Sequence, residues 1–150
     1  MSENIVIKKL ESSEITLAKE VILMFGFDHE TDEPALPDDK YIVEMLARND
    51  FHVIVALKHG RLTGGLTAYE MNMFKRKTTE MFLYEIEVEE SYRQKGIGKA
   101  LIEYLKQMCD SKGIVEMFVG TSKDNLAARK LYSTTGGKAD EDSVWFNYLF

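Results

Sequence analysis

The sequence has few of the residues that build disulfide frameworks, rigid linkers or membrane spans. Its 150 residues include one cysteine, Cys109, and only two prolines. A single cysteine excludes an internal disulfide and a thiolate metal cluster. No apolar run approaches the roughly 20 residues of a membrane-spanning helix. Residues 2–9 are mixed and charged, which is not the pattern of a secretory signal. We therefore expect a cytoplasmic protein.

Positive charge is also in short supply. The chain has 19 lysines and arginines against 25 aspartates and glutamates, for a net charge of −6. General nucleic-acid binding needs a basic face, so this balance argues against a nucleic-acid partner, and the lack of an apolar span argues against a membrane partner. The length and the 45% hydrophobic content suit one globular domain. We predict a single domain over residues 1–150.

Apolar periodicity predicts alternating strands and helices. The predicted helices are residues 15–25, 39–47, 97–112 and 125–132, and Ser12 or Ser13 with Glu14 is expected to start the first. The predicted strands are residues 5–10, 51–57, 62–71, 80–88, 114–119, 138–142 and 144–148. The order β-α-α-β-β-β-α-β-α-β, in which the last β stands for the two C-terminal strands, indicates a mixed α/β fold with one central sheet.

Residues 93–98 (RQKGIG) lie between a predicted strand and the longest predicted helix. Backbone N–H groups at a helix N-terminus have no intrahelical partner and attract anions. Glycine lets a ligand approach the main chain closely. The segment therefore predicts a pyrophosphate cradle, although an ordinary tight turn would carry the same glycines. Neither the P-loop pattern nor the dinucleotide fingerprint is present.

Two motifs resemble those of the GNAT superfamily of acetyl-CoA-dependent N-acetyltransferases. One is Arg93-x-x-Gly96-x-Gly98 after a strand ending Ile86-x-Val88, and the other is Asn125-x-x-Ala128-x-x-Leu131-Tyr132. The resemblance covers nearly the whole chain. It implies a mostly antiparallel sheet with a splayed parallel strand pair and flanking helices. It also implies acetyl-CoA as the acetyl donor and no metal.

The resemblance implies which residues bind the coenzyme. The end of the strand would hold the pantetheine and polarise the thioester carbonyl, the glycine turn would bind the pyrophosphate, and the last helix would touch the pantetheine. The residues so implied are Ile86, Glu87, Val88, Arg93, Gln94, Lys95, Gly96, Ile97, Gly98, Lys99, Ala100, Asn125 and Ala128.

A narrower resemblance is to the aminoglycoside 3-N-acetyltransferases of type I. It rests on Phe25-Gly26, Asp38 with Tyr41, Ala68-Tyr69, Phe74, Glu80, Tyr84-Glu85-Ile86-x-Val88, residues 93–97, Asp124, Ala128, Leu131-Tyr132 and Phe146. It implies the 3-amino group of an aminoglycoside as acceptor and antibiotic resistance as the role. A homodimer is common in that group.

Glu85 is the candidate general base. It interrupts an apolar strand, where an ionised carboxylate is costly unless it is paired or useful. Regular pleating would send it and Tyr84 to opposite faces. The type I group carries aspartate here, so this chain keeps the carboxylate with one more methylene. The alternative is a buried structural carboxylate paired with a lysine.

Tyr132 is the candidate acid that protonates the departing coenzyme A thiolate. A phenol with a pKa near 10 carries a proton at neutral pH. The alternative is a core aromatic residue that packs against the last helix. Asn125 is expected to cap that helix as well as touch the pantetheine, and capping alone would also explain it.

Acidic residues are concentrated in residues 28–39 and 140–142, segments that border the acceptor site in the superfamily. Negative charge around the entrance to the acceptor site would steer a small polycationic amine toward it. Solvated surface loops would look the same. The candidate acceptor-binding residues are Asp28, Asp38, Tyr84 and Asp142.

Other acceptors and other functions stay open. The acceptor could be a polyamine, another small metabolite or a protein lysine. The chain could also be a catalytically silent acyl-CoA-binding domain, or a different phosphate binder. Cys109 is predicted to be a buried thiol rather than an acyl-enzyme nucleophile.

Overall fold

The described part of the chain forms a five-stranded sheet and four α-helices. The computed structural model describes residues 4–26 and 35–150. The strands are β1 (Ile5–Lys9), β2 (Phe51–Lys58), β3 (Arg61–Asn72), β4 (Thr79–Val88) and β5 (Glu116–Phe118). The helices are α1 (Ile15–Phe25), α2 (Asp39–Leu46), α3 (Ile97–Lys112) and α4 (Leu126–Thr134), and a short 3-10 helix, Glu90–Tyr92, follows β4.

The sheet order is β1-β2-β3-β4-β5, with antiparallel pairing from β1 to β4 and parallel pairing between β4 and β5. The parallel pair is short, since only Glu80–Phe82 of β4 faces Glu116–Phe118 of β5. Beyond Phe82, no described strand lies on that side of β4. The predicted mixed α/β sheet with a splayed parallel pair is confirmed.

Helices cover both faces of β2, and for this reason residues 51–56 are all buried. Phe51, Val53 and Val55 belong to the core cluster that packs against α1 and α2. On the other face, α3 packs against β3, where its side chains approach Gly64. The alternation of side chains along each strand separates the two cores.

The chain divides into two compact units, Met1–Gly120 and Thr121–Phe150. The first contains the sheet with α1, α2 and α3, and the second contains α4 and the C-terminal segment. The single domain over residues 1–150 stays a prediction. Within the described residues no helix is both long and apolar enough to cross a bilayer.

The two predicted C-terminal strands are wrong, because the structure assigns no strand to residues 138–150. Alternating apolar residues favour a strand, but a strand forms only when a neighbour pairs with its backbone. The predicted strand at residues 114–119 is shorter than expected. The Ile114 N–H bonds to the Cys109 carbonyl at the end of α3, so pairing with β4 begins only afterwards.

The start of α1 also differs from the prediction. Its N-cap is Glu14 and not Ser12 or Ser13. The Glu14 carboxylate accepts the Glu11 N–H at 2.8 Å and pairs with Lys8. A longer side chain thus satisfies the turn before the helix, and the serines are not needed as caps.

Candidate active site

Strand β4 contains a β-bulge at Tyr84, immediately before Glu85. Thr67 of β3 pairs with Glu85 and the next residue, Ala68, pairs with Leu83, so Tyr84 is the extra residue. Bulges interrupt the regular alternation of side chains and re-aim them. Both Tyr84 and Glu85 are exposed. The expectation of regular pleating at this point is therefore wrong, and the Glu85 carboxylate is not buried in the strand.

Aromatic rings form a shelf beside Glu85, consisting of Tyr69, Phe82 and Tyr84. The Tyr69 and Tyr84 rings meet edge to face with centroids 5.9 Å apart, and those of Phe82 and Tyr84 do so at 5.5 Å. Tyr84 is 57% exposed, so the shelf is open to solvent. Burial raises the pKa of the Tyr69 phenol, and nearby Tyr41, Tyr84 and Glu85 raise it further. The Glu85 carboxylate is therefore close enough to the shelf to influence it electrostatically.

The backbone at the end of β4 presents a donor toward the open side of the strand. The Glu89 N–H donates to the Thr63 carbonyl on β3 at 2.9 Å. Successive backbone groups of an antiparallel strand point in alternate directions, so the Val88 N–H points away from β3. No described strand occupies that side. A carbonyl oxygen lying in the splay between β4 and β5 would meet this N–H.

The turn before α3, called here the cradle, has a backbone geometry suited to an anion. Gln94 and Gly96 both have left-handed backbone conformations, with φ of 60° and 83°. Such turns direct several N–H groups toward one point. Gly96 is the N-cap of α3 and no side chain caps the helix. A Cβ built on Gly96 meets nothing within 4 Å, so a ligand can approach the main chain there. These residues fit a pyrophosphate.

Arg93 holds the cradle in place instead of projecting its full charge into it. Its Nε donates to the Val88 carbonyl at 2.9 Å and its guanidinium pairs with Glu87 at 2.8 Å. The side chain therefore ties the turn to the end of β4. Arg93, predicted as a coenzyme-binding residue, therefore has a positioning contact in this turn.

Lys58 is a cation near the cradle that the sequence pattern did not reveal. Its Nζ lies 5.9 Å from the centroid of the Tyr92 ring, and Lys95 Nζ lies 5.6 Å from the same centroid. Lys58 comes from the end of β2, far from the glycine turn in sequence. Only strand pairing, which brings β2 beside β3 and β3 beside β4, puts it there.

Gly64 is a second residue that the sequence pattern did not single out. A Cβ at this position would stand 3.1 Å from Ile97 Cγ2, 3.2 Å from the Glu87 carbonyl oxygen and 3.3 Å from Leu101 Cδ1. Glycine therefore lets the first turn of α3 pack closely on β3. The sequence signal for this contact is the pair of adjacent glycines, Gly64 and Gly65, inside a strand. Glycine within a strand often marks the close approach of another part of the chain.

The second unit carries the remaining coenzyme and acid candidates. Asn125 caps α4, accepting the Ala128 N–H at 3.1 Å, so the predicted cap is confirmed. Tyr132 lies in the same helix, and burial raises the pKa of its phenol. The Gly137 N–H donates to the Tyr132 carbonyl at 2.8 Å, and a Cβ at position 137 would stand 2.9 Å from that oxygen.

The predicted acceptor-binding acids have different surroundings. Asp38 caps α2 by accepting the Tyr41 N–H at 2.8 Å. Asp142 is exposed in the second unit, and its N–H bonds to the Asp140 carboxylate at 3.1 Å. Asp28 lies outside the described residues. Asp38 therefore has a structural role that does not depend on an acceptor.

A further polar cluster is centred on the buried His52. His52 is 1% exposed, its Nε2 contacts the Glu70 carboxylate, and Lys112 Nζ contacts the same carboxylate at 2.7 Å. Cys109 is buried and burial raises the pKa of its thiol, so the predicted buried cysteine is confirmed. In residues 4–26 and 35–150 no His, Cys, Asp and Glu group is arranged to hold a metal ion.

Comparison with known proteins adds a family match. Residues 18–136 match the sequence model described as "Acetyltransferase (GNAT) family". The chain is also 26% identical over 119 residues to an aminoglycoside N(6')-acetyltransferase type 1 of Salmonella typhimurium, a match that covers 75% of this chain and 82% of that protein.

Solved structures show a similar fold over the full length. An aminoglycoside acetyltransferase, meta-AAC0020, from an uncultured soil metagenomic sample has been solved with trehalose and with sisomicin. The trehalose complex superposes with a TM-score of 0.91 at 28% identity, covering 99% of this chain and 98% of that chain. The sisomicin complex gives a TM-score of 0.90 at 28% identity, covering 98% of this chain and 97% of that chain.

A further relative is the alanine N-acetyltransferase of ribosomal protein bS18 from Escherichia coli (strain K12). It is 32% identical over 69 residues, which is 46% of this chain. The match covers 45% of that protein, so the chain spans less than half of its length.

Proposed function

The chain belongs to the GNAT acetyltransferase family, and from this we propose that it transfers the acetyl group of acetyl-CoA to a primary amine of an aminoglycoside. The observation that carries the proposal is the placement of Glu85. It stands beside an exposed aromatic shelf, on a strand whose open edge ends at the anion-binding cradle. An acceptor base, a thioester site and a pyrophosphate site thus follow one another along β4 and the turn after it.

Acetyl-CoA binding is assigned to the cradle and the open edge of β4. The N–H groups at residues 96–99, with the charges of Lys95, Lys99 and Lys58, would hold the pyrophosphate. The Ala100 N–H, which the sequence also offered, donates instead to the Gly96 carbonyl at 3.0 Å. Ile86, Glu87 and Val88 would hold the pantetheine by their main chain, and Asn125 and Ala128 of the second unit are further proposed contacts. No metal is proposed.

The proposed reaction is direct attack of the acceptor nitrogen on the thioester carbonyl. Glu85, directly or through a water molecule, takes a proton from the acceptor ammonium. The free amine forms the N–C bond as the C–S bond breaks, which yields the N-protonated acetamide and the coenzyme A thiolate. Loss of the second nitrogen proton then gives the acetamide. Backbone donors aimed at the developing oxyanion, of which the Val88 N–H is our candidate, typically contribute about 3–4 kcal/mol.

Tyr132 is the proposed source of the proton that the thiolate receives. Burial raises the pKa of this phenol, so the group is protonated at neutral pH and can donate to sulfur. The second nitrogen proton restores the Tyr132 phenol, so the net products are the acetylated amine, free coenzyme A and the one proton released through Glu85.

The acceptor is assigned to cyclic polycations. The shelf offers ring faces that suit the apolar face of a sugar and a nearby ammonium. Acidic residues, including Asp28, Asp38 and Asp142 as proposed contacts, would raise the local concentration of a polycation. The similar meta-AAC0020 was solved with sisomicin, an observation that supports the same class here.

Two amino groups are candidates for acetylation. The narrower motif resemblance favours the 3-amino group, whereas the name of the Salmonella relative favours the 6'-amino group. We propose the 3-amino group and keep the 6'-amino group as the second candidate. Two-dimensional NMR of the acetylated product distinguishes them, because acetylation shifts the protons next to the modified nitrogen.

The test of the proposal is a comparison of acceptors by release of free thiol from acetyl-CoA. We expect saturable turnover with aminoglycosides and a much smaller kcat/KM with spermidine and with lysine peptides. Replacing Tyr84 with alanine should raise the KM for the aminoglycoside and leave that for acetyl-CoA unchanged, while Tyr84→Phe should resemble the wild type. Turnover confined to spermidine or peptides would move the acceptor to those classes. Coenzyme binding without turnover on any amine would favour a silent acyl-CoA-binding domain.

A further inference from the structure

The face of the sheet that α3 covers carries a group of ionisable side chains that includes Lys9. Lys9 of β1 pairs with Ile54 of β2, and His52 lies two residues before Ile54. Because side chains alternate along a strand, Lys9 and His52 lie on the same face of the sheet. On that face Glu70 of β3 contacts His52, and Lys112 at the end of α3 contacts Glu70. The strand register therefore adds Lys9 to the His52–Glu70–Lys112 cluster.

Lys9 is the cation of this group that has no ion-pair partner. The neighbouring Lys8 pairs with Glu14, and Lys112 pairs with Glu70. Within the part of the chain that the structure describes, no carboxylate forms an ion pair with Lys9. Burial and then the charge of Lys112 lower the pKa of the Lys9 ammonium, against a smaller opposing effect of Glu70. A larger fraction of Lys9 than of an ordinary lysine is therefore the free amine at neutral pH.

Lys9 is also partly exposed, so a reagent in solution can reach it. It lines two open clefts, with volumes of about 290 Å³ and 500 Å³. Both clefts are lined by residues of the first unit alone. Cavities of this size accept small organic ligands, and the acetyl end of a thioester is a small group. The other charged or titratable residues of the two clefts are Lys8, Glu11, Glu14, Arg48 and Tyr104.

These surroundings are those of a nucleophilic lysine. A lysine becomes a nucleophile when burial or a neighbouring cation favours its neutral amine, and Lys9 has both. Lys8, one residue earlier in the same strand, is held by a carboxylate instead. The natural reagent for such an amine is a thioester, and the acetyl donor of the GNAT family, acetyl-CoA, is one.

We propose that Lys9 is a modification site, at which the side-chain amine takes the acetyl group of acetyl-CoA without help from the candidate active site. The Lys9 nitrogen forms the N–C bond as the C–S bond breaks. The nitrogen then loses one proton and the coenzyme A thiolate takes one up from solvent, which leaves Nε-acetyl-Lys9 and free coenzyme A. Acetylation removes a positive charge that acts on both Lys112 and His52. The inference is independent of the function proposed above.

The test measures the acetylation rate of each lysine by peptide mass spectrometry. The whole protein is incubated with isotope-labelled acetyl-CoA and no acceptor amine, from neutral to alkaline pH. At neutral pH we expect Lys9 to be acetylated several-fold faster than Lys8. The rate at Lys9 should also reach its plateau at a lower pH than an ordinary lysine, with a pKa near 10.4, would show.

A variant of α3 tests whether the neighbouring cation activates Lys9. Lys112→Gln removes that cation and leaves Glu70 available to pair with Lys9, so acetylation of Lys9 at neutral pH should slow several-fold. Lys106→Gln, on the same helix and paired with Glu103, is the matched control and should leave the rate at Lys9 unchanged. The comparison of Lys9 with Lys8 in the wild type stands even if Lys112→Gln fails to fold.

Three outcomes would overturn the proposal. The first is acetylation of Lys9 in the wild type that is no faster than that of Lys8. The second is a rate at Lys9 that Lys112→Gln does not change. The third is loss of Lys9 acetylation in Glu85→Gln, which would mean that the active site of another copy transfers the group. Rapid acetylation of Lys9 by a protein that acetylates no aminoglycoside would support this inference and contradict the proposed function alone.

Discussion

Gly64 of β3 lies against Ile97 at the start of α3, so closely that a Cβ on residue 64 would stand 3.1 Å from Ile97 Cγ2. The carbonyl oxygen of Glu87 is almost as near, at 3.2 Å. One glycine thus sets the distance between the sheet and the helix whose N-terminus forms the cradle. The packing of the strand and the position of the turn before α3 are therefore linked through this contact.

Gly64→Ala should therefore weaken coenzyme binding as well as stability. Overpacking of this kind typically costs about 1–3 kcal/mol, and the helix start must shift to relieve it. We expect a lower melting temperature and a raised KM for acetyl-CoA. Gly65→Ala is the matched control, because its Cβ would approach Ile54 and α1 on the other face. An acetyl-CoA KM that rises equally in both variants would refute the link to the cradle.

The His52–Glu70–Lys112 cluster should make stability depend on pH. Burial lowers the pKa of His52, although its hydrogen bond to Glu70 acts in the opposite direction. Burial would raise the pKa of Glu70, but the hydrogen bonds from Lys112 and His52 outweigh it and the pKa is lowered. A lowered pKa in the folded state stabilises the protein at higher pH and loses that contribution as the pH falls.

The stability contributed by His52 should be lost below about pH 6.5, the ordinary pKa of histidine. The stability contributed by Glu70 should be lost below about pH 4.3, the ordinary pKa of glutamate. Melting temperatures of the wild type should accordingly fall between pH 7.5 and pH 5. His52→Gln should flatten this part of the profile. His59→Gln, at an exposed histidine in the β2–β3 turn, should not. Identical profiles for all three proteins would show that His52 does not titrate on unfolding.

Lys58 and Lys95 both approach the Tyr92 ring near the cradle, and their charges should assist coenzyme binding. We expect Lys95→Gln and Lys58→Gln each to raise the acetyl-CoA KM by several-fold at low salt, with a smaller effect at high salt because salt screens exposed charges. The kcat at saturating coenzyme should stay near the wild-type value. Lys40→Gln, at an exposed position of α2, serves as the control. KM values that do not respond to salt or to these changes would remove both lysines from the site.

Tyr132→Phe should lower kcat without changing either KM, because the hydroxyl is proposed to act only when the thiolate leaves. A general acid is typically worth about 10²–10⁴-fold. Steady-state kinetics with both substrates varied test this. A kcat within twofold of the wild type would leave Tyr132 as a packing residue of α4, and circular dichroism would confirm that the helix is intact.

Local patterns predicted the long elements well. The apolar spacing of α1 and α3 and the order of strands from β1 to β4 are visible in the sequence, because each periodicity reports burial of one face. The uncapped N-terminus of α3 was predictable from the glycines that stand before this amphipathic helix. The cap at Asn125 was also evident from its residue type.

Features that depend on pairing between distant segments were not predictable. The bulge at Tyr84 results from the register of β4 against β3, and Lys58 reaches the cradle only through the order of the strands. Residues 144–148 have a strand pattern, yet no described strand pairs with them. In each case the local sequence specifies a tendency, and a partner far along the chain decides the outcome.

The most direct test of the proposed reaction is thiol release from acetyl-CoA with sisomicin as acceptor, comparing the wild type with Glu85→Gln across pH. The amide keeps the size of the side chain and cannot accept the proton, so we expect kcat/KM to fall by about 10²–10⁴-fold, with acetyl-CoA binding unchanged. The wild type should also lose activity at low pH, whereas the residual activity of Glu85→Gln should lose that dependence. Equal kcat/KM in the two proteins at every pH would contradict the role of Glu85 as the base. No thiol release by the wild type with sisomicin or any other aminoglycoside, despite coenzyme binding, would contradict the proposed function itself.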